Sequence, residues 1–186
     1  MIGQLSSRQK EIIIGTVLGG SSLVKPPLGK NYHLSMRDSN DLWLLYKIEE
    51  LQGCFRNNNL IKDGKTYRCS SICAEAFTEL YKLLYKDGKR HMTDEIIEPM
   101  HDIGLAIWFI DGGGMTGRNK KNAYLNSTKF GIEGSKIIEN YFNSLDIGCN
   151  INQSNERIKV LFTVEGTEKF LKVIAPAFPP FMIQDE

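Results

Sequence analysis

The positions most informative about chemistry are the ends of two apolar segments. Residues 13–20 and 105–112 each read as the end of a helix that stops at a glycine and leads into a β-hairpin. Gly15 and Gly19 lie four residues apart, hence on one helix face, where missing side chains let another backbone approach closely. The carboxylate in this region is Asp111, just before the glycines of the second segment. The alternative interpretation is that these are two ordinary core helices that end at glycines. Either segment alone is weak evidence for a functional site.

The cysteines and histidines form no recognisable reactive or metal-binding set. The cysteines lack paired CxxC spacing and a nearby histidine, and the histidines lie apart from one another and outside nucleophile motifs. We therefore expect buried free thiols in an intracellular, reducing compartment (bacterial, archaeal or organellar), with a zinc site or disulfide as alternatives. These residues are Cys54, Cys69, Cys73 and Cys149, and His33, His91 and His101.

Helix and hairpin patterns alternate along the chain. The spacing of apolar residues predicts helices at residues 7–19, 38–51, 74–85, 101–111, 132–145 and 167–174. Four β-hairpins are predicted at residues 21–37, 54–72, 113–130 and 147–164. Asp63-Gly64 marks a strong hairpin turn in the second of them. No apolar run reaches the roughly 20 residues that cross a bilayer, and no signal peptide is recognisable, so we expect no membrane partner.

The order helix–hairpin–helix–hairpin–helix occurs twice. Gly20 and Gly112 are 92 residues apart, and a pair of equivalent hairpin leucines is 91 apart, a near-constant offset that indicates duplication. We therefore predict an α+β fold of two pseudo-symmetric αββαββα repeats, at residues 1–96 and 97–186. Two antiparallel sheets side by side would form a long concave saddle. Such a saddle suits the major groove of DNA, which admits β-ribbons.

Charge is distributed unevenly between the hairpins and the rest of the chain. The net charge is only +1, yet the four hairpin segments hold 13 basic residues against two acids, Asp63 and Glu156. One cationic and one anionic face are therefore expected, and a cationic face is typical of nucleic-acid binding. Solvated, lysine-rich hairpin tips are the alternative. The basic residues are Lys25, Lys30, Arg37, Arg56, Lys62, Lys65, Arg68, Arg118, Lys120, Lys121, Lys129, Arg157 and Lys159.

The two helix ends also carry a resemblance to a known family. LAIWFIDGG resembles the second motif of the single-chain LAGLIDADG homing endonucleases, and EIIIGTVLGGSSL resembles the first. The likeness extends through YHLSMRDSNDLWLLYKIEEL, GKRHMTDEIIEP, AYLNSTKFGIEGSKIIENYF and IAPAFPPFM, and so through almost the whole chain. In that family the motif helices pack at a pseudo-twofold axis, and an acid from each helix end binds divalent metal above the scissile phosphates. Paired carboxylates hold cations that activate water and stabilise the transition state.

Carried over residue by residue, the resemblance places the metal-binding acids at Gly20 and Gly112, which supply no carboxylate. Asp111 is adjacent, but one helical residue rotates a side chain by about 100°, so we expect a helix-end residue rather than a substitute ligand. The family's lysine near the cleavage centre matches Lys89 in the first half. The second-half lysine would fall near Asp185 and is absent.

The resemblance implies a monomeric protein that binds a long site in double-stranded DNA. Its hairpins would contact phosphates through Lys and Arg and bases through Arg, Asn, Gln, Ser and Thr. Mg²⁺ is the implied cofactor, but three departures at the chemical centre predict that cleavage is lost or impaired. One alternative is an active intron-encoded endonuclease that holds metal through Asp111, backbone carbonyls and phosphate oxygens. Another is an RNA maturase that helps its intron fold.

Overall fold

A computed structural model describes residues 4–56 and 60–182. The first unit is a helix followed twice by a hairpin and a helix. Its helix α1 begins with a capping box, in which the Ser6 side chain accepts from the Gln9 amide and the Gln9 side chain accepts from the Ser6 amide. The elements are α1 (Ser7–Gly19), β1 (Ser22–Val24), β2 (His33–Asp38), α2 (Asp41–Glu50), β3 (Ile61–Asp63), β4 (Thr66–Ser70) and α3 (Glu75–Leu84).

The second unit repeats this order after a short connection. The connection contains β5 (Tyr85–Lys86), β6 (Lys89–Arg90) and α4 (Asp94–Ile97). The repeated elements are α5 (Asp102–Gly112), β7 (Gly113–Thr116), β8 (Asn122–Asn126), α6 (Gly131–Ser144), β9 (Cys149–Ser154), β10 (Arg157–Phe162) and α7 (Val164–Ile174). The predicted α+β fold with two repeated units is confirmed. The predicted division between residues 96 and 97 falls inside α4, and we retain it as a proposal.

Each unit contributes a four-stranded antiparallel sheet of the same topology. The strand orders are β1-β2-β4-β3 and β7-β8-β10-β9. Alternation along β2 buries Leu34 and Met36 on one face and leaves Ser35 and Arg37 on the other. In β10, Val160 and Phe162 are buried in the same way. The helices cover the apolar face of each sheet, so the opposite face is open to a partner.

Several predicted boundaries shift because local side-chain caps decide where an element begins. Helix α2 starts at Asp41 rather than at residue 38, since the Asn40 side chain accepts from the Trp43 amide. Helix α7 starts at Val164, three residues before the predicted start, because Thr163 caps it through the Gly166 amide. Strand β8 ends at Asn126 instead of continuing to residue 130, where the chain forms a 3₁₀ turn.

The connection between the units holds a hairpin and helix that we did not predict from the sequence. Asp87 and Gly88 both have positive φ values, 51° and 74°, which form the turn between β5 and β6. The Asp-Gly pair was a usable hairpin signal, but strands of two residues are too short to show an alternating pattern.

The cysteines follow the prediction with one exception. Cys54, Cys69 and Cys149 are buried free thiols, and burial raises their pKa to about 11, 11 and 12. Cys73 is exposed in the segment between β4 and α3, so the expectation of a buried thiol was wrong there. No helix in the described part of the chain is long and apolar enough to cross a membrane.

Candidate nucleic-acid interface and motif-helix centre

The centre of the molecule is the packing of α1 against α5, where glycines replace side chains. A Cβ added to Gly15 would lie 2.3 Å from the carbonyl oxygen of Gly104. One added to Gly19 would lie 2.3 Å from the Cβ of Asp111. The predicted close approach of the two motif helices is therefore confirmed, and α5 carries the fully buried Ala106 in the same seam. Backbones this close leave no room for a larger side chain.

A buried carboxylate joins the two helices at the other end of the seam. Glu11 of α1 is 8% exposed, and its Oε2 accepts a hydrogen bond of 2.8 Å from the backbone N–H of His101. His101 is the N-cap of α5, so an acid of the first unit satisfies a free amide at the start of the second motif helix. A negative charge there also interacts favourably with the helix dipole.

The two glycines at the predicted metal positions have different surroundings. Gly20 ends α1, and a Cβ built there meets nothing within 4 Å. A Cβ at Gly112 would lie 2.8 Å from both the Cα and the carbonyl oxygen of Gly19. A carboxylate could therefore be added at Gly20 into open space, whereas at Gly112 it would press on the backbone of α1.

Asp111, the adjacent acid, is committed to a structural cluster. Its Oδ1 accepts from the Trp43 indole at 2.5 Å and from Lys47 Nζ at 3.1 Å, while Oδ2 accepts from Lys47 Nζ at 2.8 Å. The side chains of Lys47 and Asp111 are 2% and 8% exposed. Burial raises the pKa of Asp111 above its ordinary value, although the charge of Lys47 and the hydrogen bonds from Lys47 and Trp43 oppose that shift.

The donor set at the helix ends does not fit a divalent cation. Mg²⁺ needs oxygen ligands with carboxylate charge, and the two motif positions carry none. The oxygens of Asp111 are already occupied by an ammonium and an indole. Within residues 4–56 and 60–182, no three His, Cys, Asp or Glu side chains are grouped so as to hold a metal ion.

Cations surround the end of α1 instead. Arg90 donates through Nη2 to the carbonyl oxygens of Gly20 at 3.2 Å and Ser21 at 2.5 Å. Its Nε donates to the hydroxyl of Tyr85 at 3.4 Å. Partial burial, together with the charge of Arg90, lowers the pKa of Lys129. A guanidinium thus holds the helix end at which the family resemblance places an acid.

Lys89 precedes this arginine in β6 and is exposed, and its place at the cleavage centre stays a prediction. Asp185, where the second lysine would fall, lies outside the described residues. Sequence reasoning missed Arg90, Lys47 and Trp43. Lys47 gave a signal, because a lysine on the apolar face of α2 indicates a buried partner.

The basic residues of the hairpins are available to a partner. All 13 fall within the described residues, and each is exposed except Lys159, whose Nζ lies 3.8 Å from the centroid of the Tyr124 ring. Arg37 is paired with Asp63, one of the two hairpin acids. The remaining hairpin cations make no ion pair with the described part of the chain. Unpaired surface cations create a positive potential that attracts a polyanion.

Known proteins with similar sequences include an endonuclease, a maturase and several RecA proteins. Probable intron-encoded endonuclease 1 of Wickerhamomyces canadensis is 24% identical over 96% of this chain and 83% of the relative. Cytochrome b mRNA maturase bI2 of Debaryomyces hansenii is 28% identical over 67% of this chain, and Protein RecA of Mycobacterium gastri is 24% identical over 96%. The chain spans 52% of the maturase and 46% of the RecA protein, about half the length of each.

Solved structures share the fold. The homing endonuclease I-WcaI bound to its DNA recognition sequence matches with a TM-score of 0.86 at 22% identity, over 97% of this chain and 86% of that chain. I-DmoI in complex with DNA and Mn matches with a TM-score of 0.61 at 12% identity, over 93% and 99%. The model of the LAGLIDADG DNA endonuclease family matches residues 10–170. The chain therefore belongs to the LAGLIDADG DNA endonuclease family.

Proposed function

We propose that this chain binds a long site in double-stranded DNA as a monomer and cleaves it poorly or not at all. The observation that carries the proposal is the mismatch between a complete binding framework and an incomplete chemical centre. The α1–α5 seam, the two sheets and the cationic hairpins are present, whereas both motif positions are glycine. Phosphodiester hydrolysis by metal requires carboxylates to hold the cation, so binding should survive without cutting.

The cations at the motif centre support binding that does not depend on metal. In a centre with two carboxylates, a divalent cation screens the acids from the DNA phosphates. Here Lys89 and Lys129 lie beside Arg90, with glycines in place of the acids. These cations should attract the central phosphates directly, and electrostatic contacts of this kind supply a large share of DNA affinity.

The test is selection from a random duplex library with the purified chain, once with EDTA and once with Mg²⁺. We expect the same duplex sequence to be enriched in both conditions, because no metal ligand is needed for binding. Enrichment that requires Mg²⁺ would contradict the proposal, as would failure to retain any duplex. Gel filtration of the protein–DNA complex should give one protein chain per duplex.

Affinity should depend steeply on salt, and the tip between β7 and β8 should contribute to that dependence. Changing Lys120 and Lys121 together to alanine should flatten the slope of log K against log salt by about 0.9 for each phosphate that is no longer neutralised. Lys10 and Lys172, exposed lysines on α1 and α7, provide a control pair with the same change of charge. An unchanged slope in the Lys120/Lys121 variant, with the fold intact, would mean that this tip faces away from DNA.

Aspartate at the two glycines should destabilise the fold for different reasons. At Gly20 the side chain enters open space, but the φ of 159° costs an L-residue about 1–3 kcal/mol. At Gly112 the side chain meets the Gly19 backbone at 2.8 Å, and overpacking of this kind costs about 1–3 kcal/mol. Thermal melting of both aspartate variants, with alanine variants as controls for the Cβ alone, measures the two costs. If both Gly112 variants melt with the parent, the helices separate freely at this position.

The same two changes should restore part of the cleavage. We expect the double variant Gly20→Asp/Gly112→Asp to cut its selected site with Mg²⁺, and either single variant to give less product, mainly a nick in one strand. A full rate is not expected, because Asp185 stands where the resemblance places the second lysine. Supercoiled, nicked and linear plasmid are measured for each variant. A double variant that binds tightly but cuts nothing would mean that the centre has diverged beyond its two acids.

Intron RNA is a second candidate partner. Cytochrome b mRNA maturase bI2 of Debaryomyces hansenii is 28% identical over 139 residues, which favours this alternative over other RNA-related functions. Competition between the selected duplex and a structured intron RNA separates the two functions. Preference for the RNA at equal concentration and salt would favour the maturase alternative.

A further inference from the structure

The exposed face of the first sheet presents arginine at its centre. Arg37 of β2 and Arg68 of β4 are directly opposite each other, next to Ile61 of β3. Like charges directly opposite on neighbouring strands destabilise a sheet, so this arrangement is unfavourable unless an acceptor or anion covers it. Arg37 forms an ion pair with Asp63, but Arg68 has no hydrogen-bond or ion-pair partner among the described residues. Because β4 is an interior strand, the free guanidinium lies over the middle of the sheet.

The exposed face of the second sheet presents asparagine instead. Asn150 and Asn152 of β9 are exposed and alternate with the half-buried Ile151. Neither of these two side-chain amides makes a hydrogen bond within the described part of the chain. A groove of about 780 Å³ runs beside Asn152 and is also lined by Ser154, Arg157 and Lys159.

Several other polar side chains of the second sheet are already engaged, whereas Arg157, at the turn end of β10, has no ion-pair partner among the described residues. The Asn122 amide donates to the carbonyl oxygen of Phe162 at 2.8 Å, and the Asn126 side-chain oxygen accepts from the Thr128 amide at 3.1 Å. Lys159 rests on the ring of Tyr124. An asparagine reads adenine only when its oxygen and its amide are both free, so Asn150 and Asn152 are the suitable pair on this sheet.

We infer that the two sheets read different bases, the first guanine through Arg68 and the second adenine through Asn150 and Asn152. This inference rests on the proposed duplex-DNA function. Arginine donates twice to O6 and N7 of guanine, whereas asparagine accepts from N6 and donates to N7 of adenine. The target is therefore an asymmetric site, with guanine opposite Arg68 in one half and adenines opposite Asn150 and Asn152 in the other. Arg37 can contact a second guanine if its ion pair with Asp63 breaks and its guanidinium donates to the base instead.

The test compares sites selected by the parent and by three variants from one random duplex library. The parent should enrich guanines in one half of the site and adenines in the other. Arg68→Ala should lower discrimination about ten-fold at guanine positions of one half alone. Asn150→Ala with Asn152→Ala should do so at adenine positions of the other half. Lys121→Ala, which removes a charge at a hairpin tip, should weaken all duplexes evenly.

Each outcome decides the inference. Unchanged base preferences in Arg68→Ala or in the asparagine variant, with a specific site still selected and the melting temperature unchanged, would overturn it. Loss of preference in the opposite half, or a parental site with the same composition in both halves, would overturn it as well. If the parent selects no duplex, the proposed function fails and the inference falls with it. Selection of a specific site whose halves do not differ leaves DNA binding standing and removes only the base assignment.

Discussion

Replacing Gly15 by leucine should lower the melting temperature by about 6–12 °C or prevent folding. A Cβ alone at this position would lie 2.3 Å from the Gly104 carbonyl oxygen, and that oxygen belongs to helix backbone that has no rotamer to adopt. Overpacking a core costs about 1–3 kcal/mol, and pushing α1 from α5 also weakens the packing along the seam. A loss of about 3 kcal/mol corresponds to about 6–12 °C for a chain of this size.

Thermal unfolding followed by circular dichroism measures this effect. Gly15→Ala should fall between the parent and Gly15→Leu, because it adds only the first clashing atom. Lys10→Leu supplies the control, since it places the same side chain at an exposed position of the same helix. If Gly15→Leu melts with the parent, α1 and α5 do not pack as described, and the geometry of the motif centre is wrong with them.

Removing the cation from the buried Lys47–Asp111 pair should cost about 3–5 kcal/mol, because Lys47→Met leaves the Asp111 carboxylate buried and unpaired. The pair joins α2 of the first unit to α5 of the second, so its loss also weakens the junction between the units. Lys47→Met/Asp111→Asn should recover most of the stability, since no buried charge remains and the Trp43 indole keeps an acceptor. Lys82→Met at an exposed pair with Glu79 should leave the melting temperature unchanged.

The loss in Lys47→Met should also depend on pH. Burial raises the pKa of Asp111, and without Lys47 that shift should increase, so the folded state binds a proton more tightly than the unfolded state. Stability of the variant therefore rises as pH falls and is lost as pH rises through the raised pKa. The difference in melting temperature between the variant and the parent should therefore narrow as the pH is lowered. A gap independent of pH would mean that the cost is one of packing rather than charge.

Local signals in the sequence were sufficient for most elements of the fold. Helix α1 lies at the predicted Ser7–Gly19 because serine and glycine end it on either side, and the duplicated order follows from patterns repeated about 92 residues apart. The predicted helix boundaries were wrong where a single capping side chain sets the first residue of the helix, as Asn40 does for α2 and Thr163 for α7. Several neighbouring residues have a similar propensity to cap a helix, so the sequence alone defines the start of a helix only to within a few residues.

The candidate site was less accessible to sequence reasoning. Its glycines and Lys89 followed from the family resemblance, whereas Arg90 reaches the end of α1 across 70 residues of chain. Lys47 and Asp111 are 64 residues apart and belong to different repeats. Contacts of this range depend on how the two units dock, which no periodicity in either unit specifies. Asp111 lies one residue before the motif position, and its carboxylate accepts hydrogen bonds from Trp43 and Lys47.

The central claim is that this chain binds DNA without cutting it. Its most direct test is incubation of the unmodified protein with a supercoiled plasmid that carries the selected site, in the presence of Mg²⁺, with occupancy measured in the same samples. Gel retardation of the site reports binding, and electrophoresis of the deproteinised plasmid reports cleavage. We predict a fully occupied site and plasmid that stays supercoiled. Accumulation of linear plasmid at full occupancy would contradict the account, because it would require a metal centre that Gly20 and Gly112 do not provide.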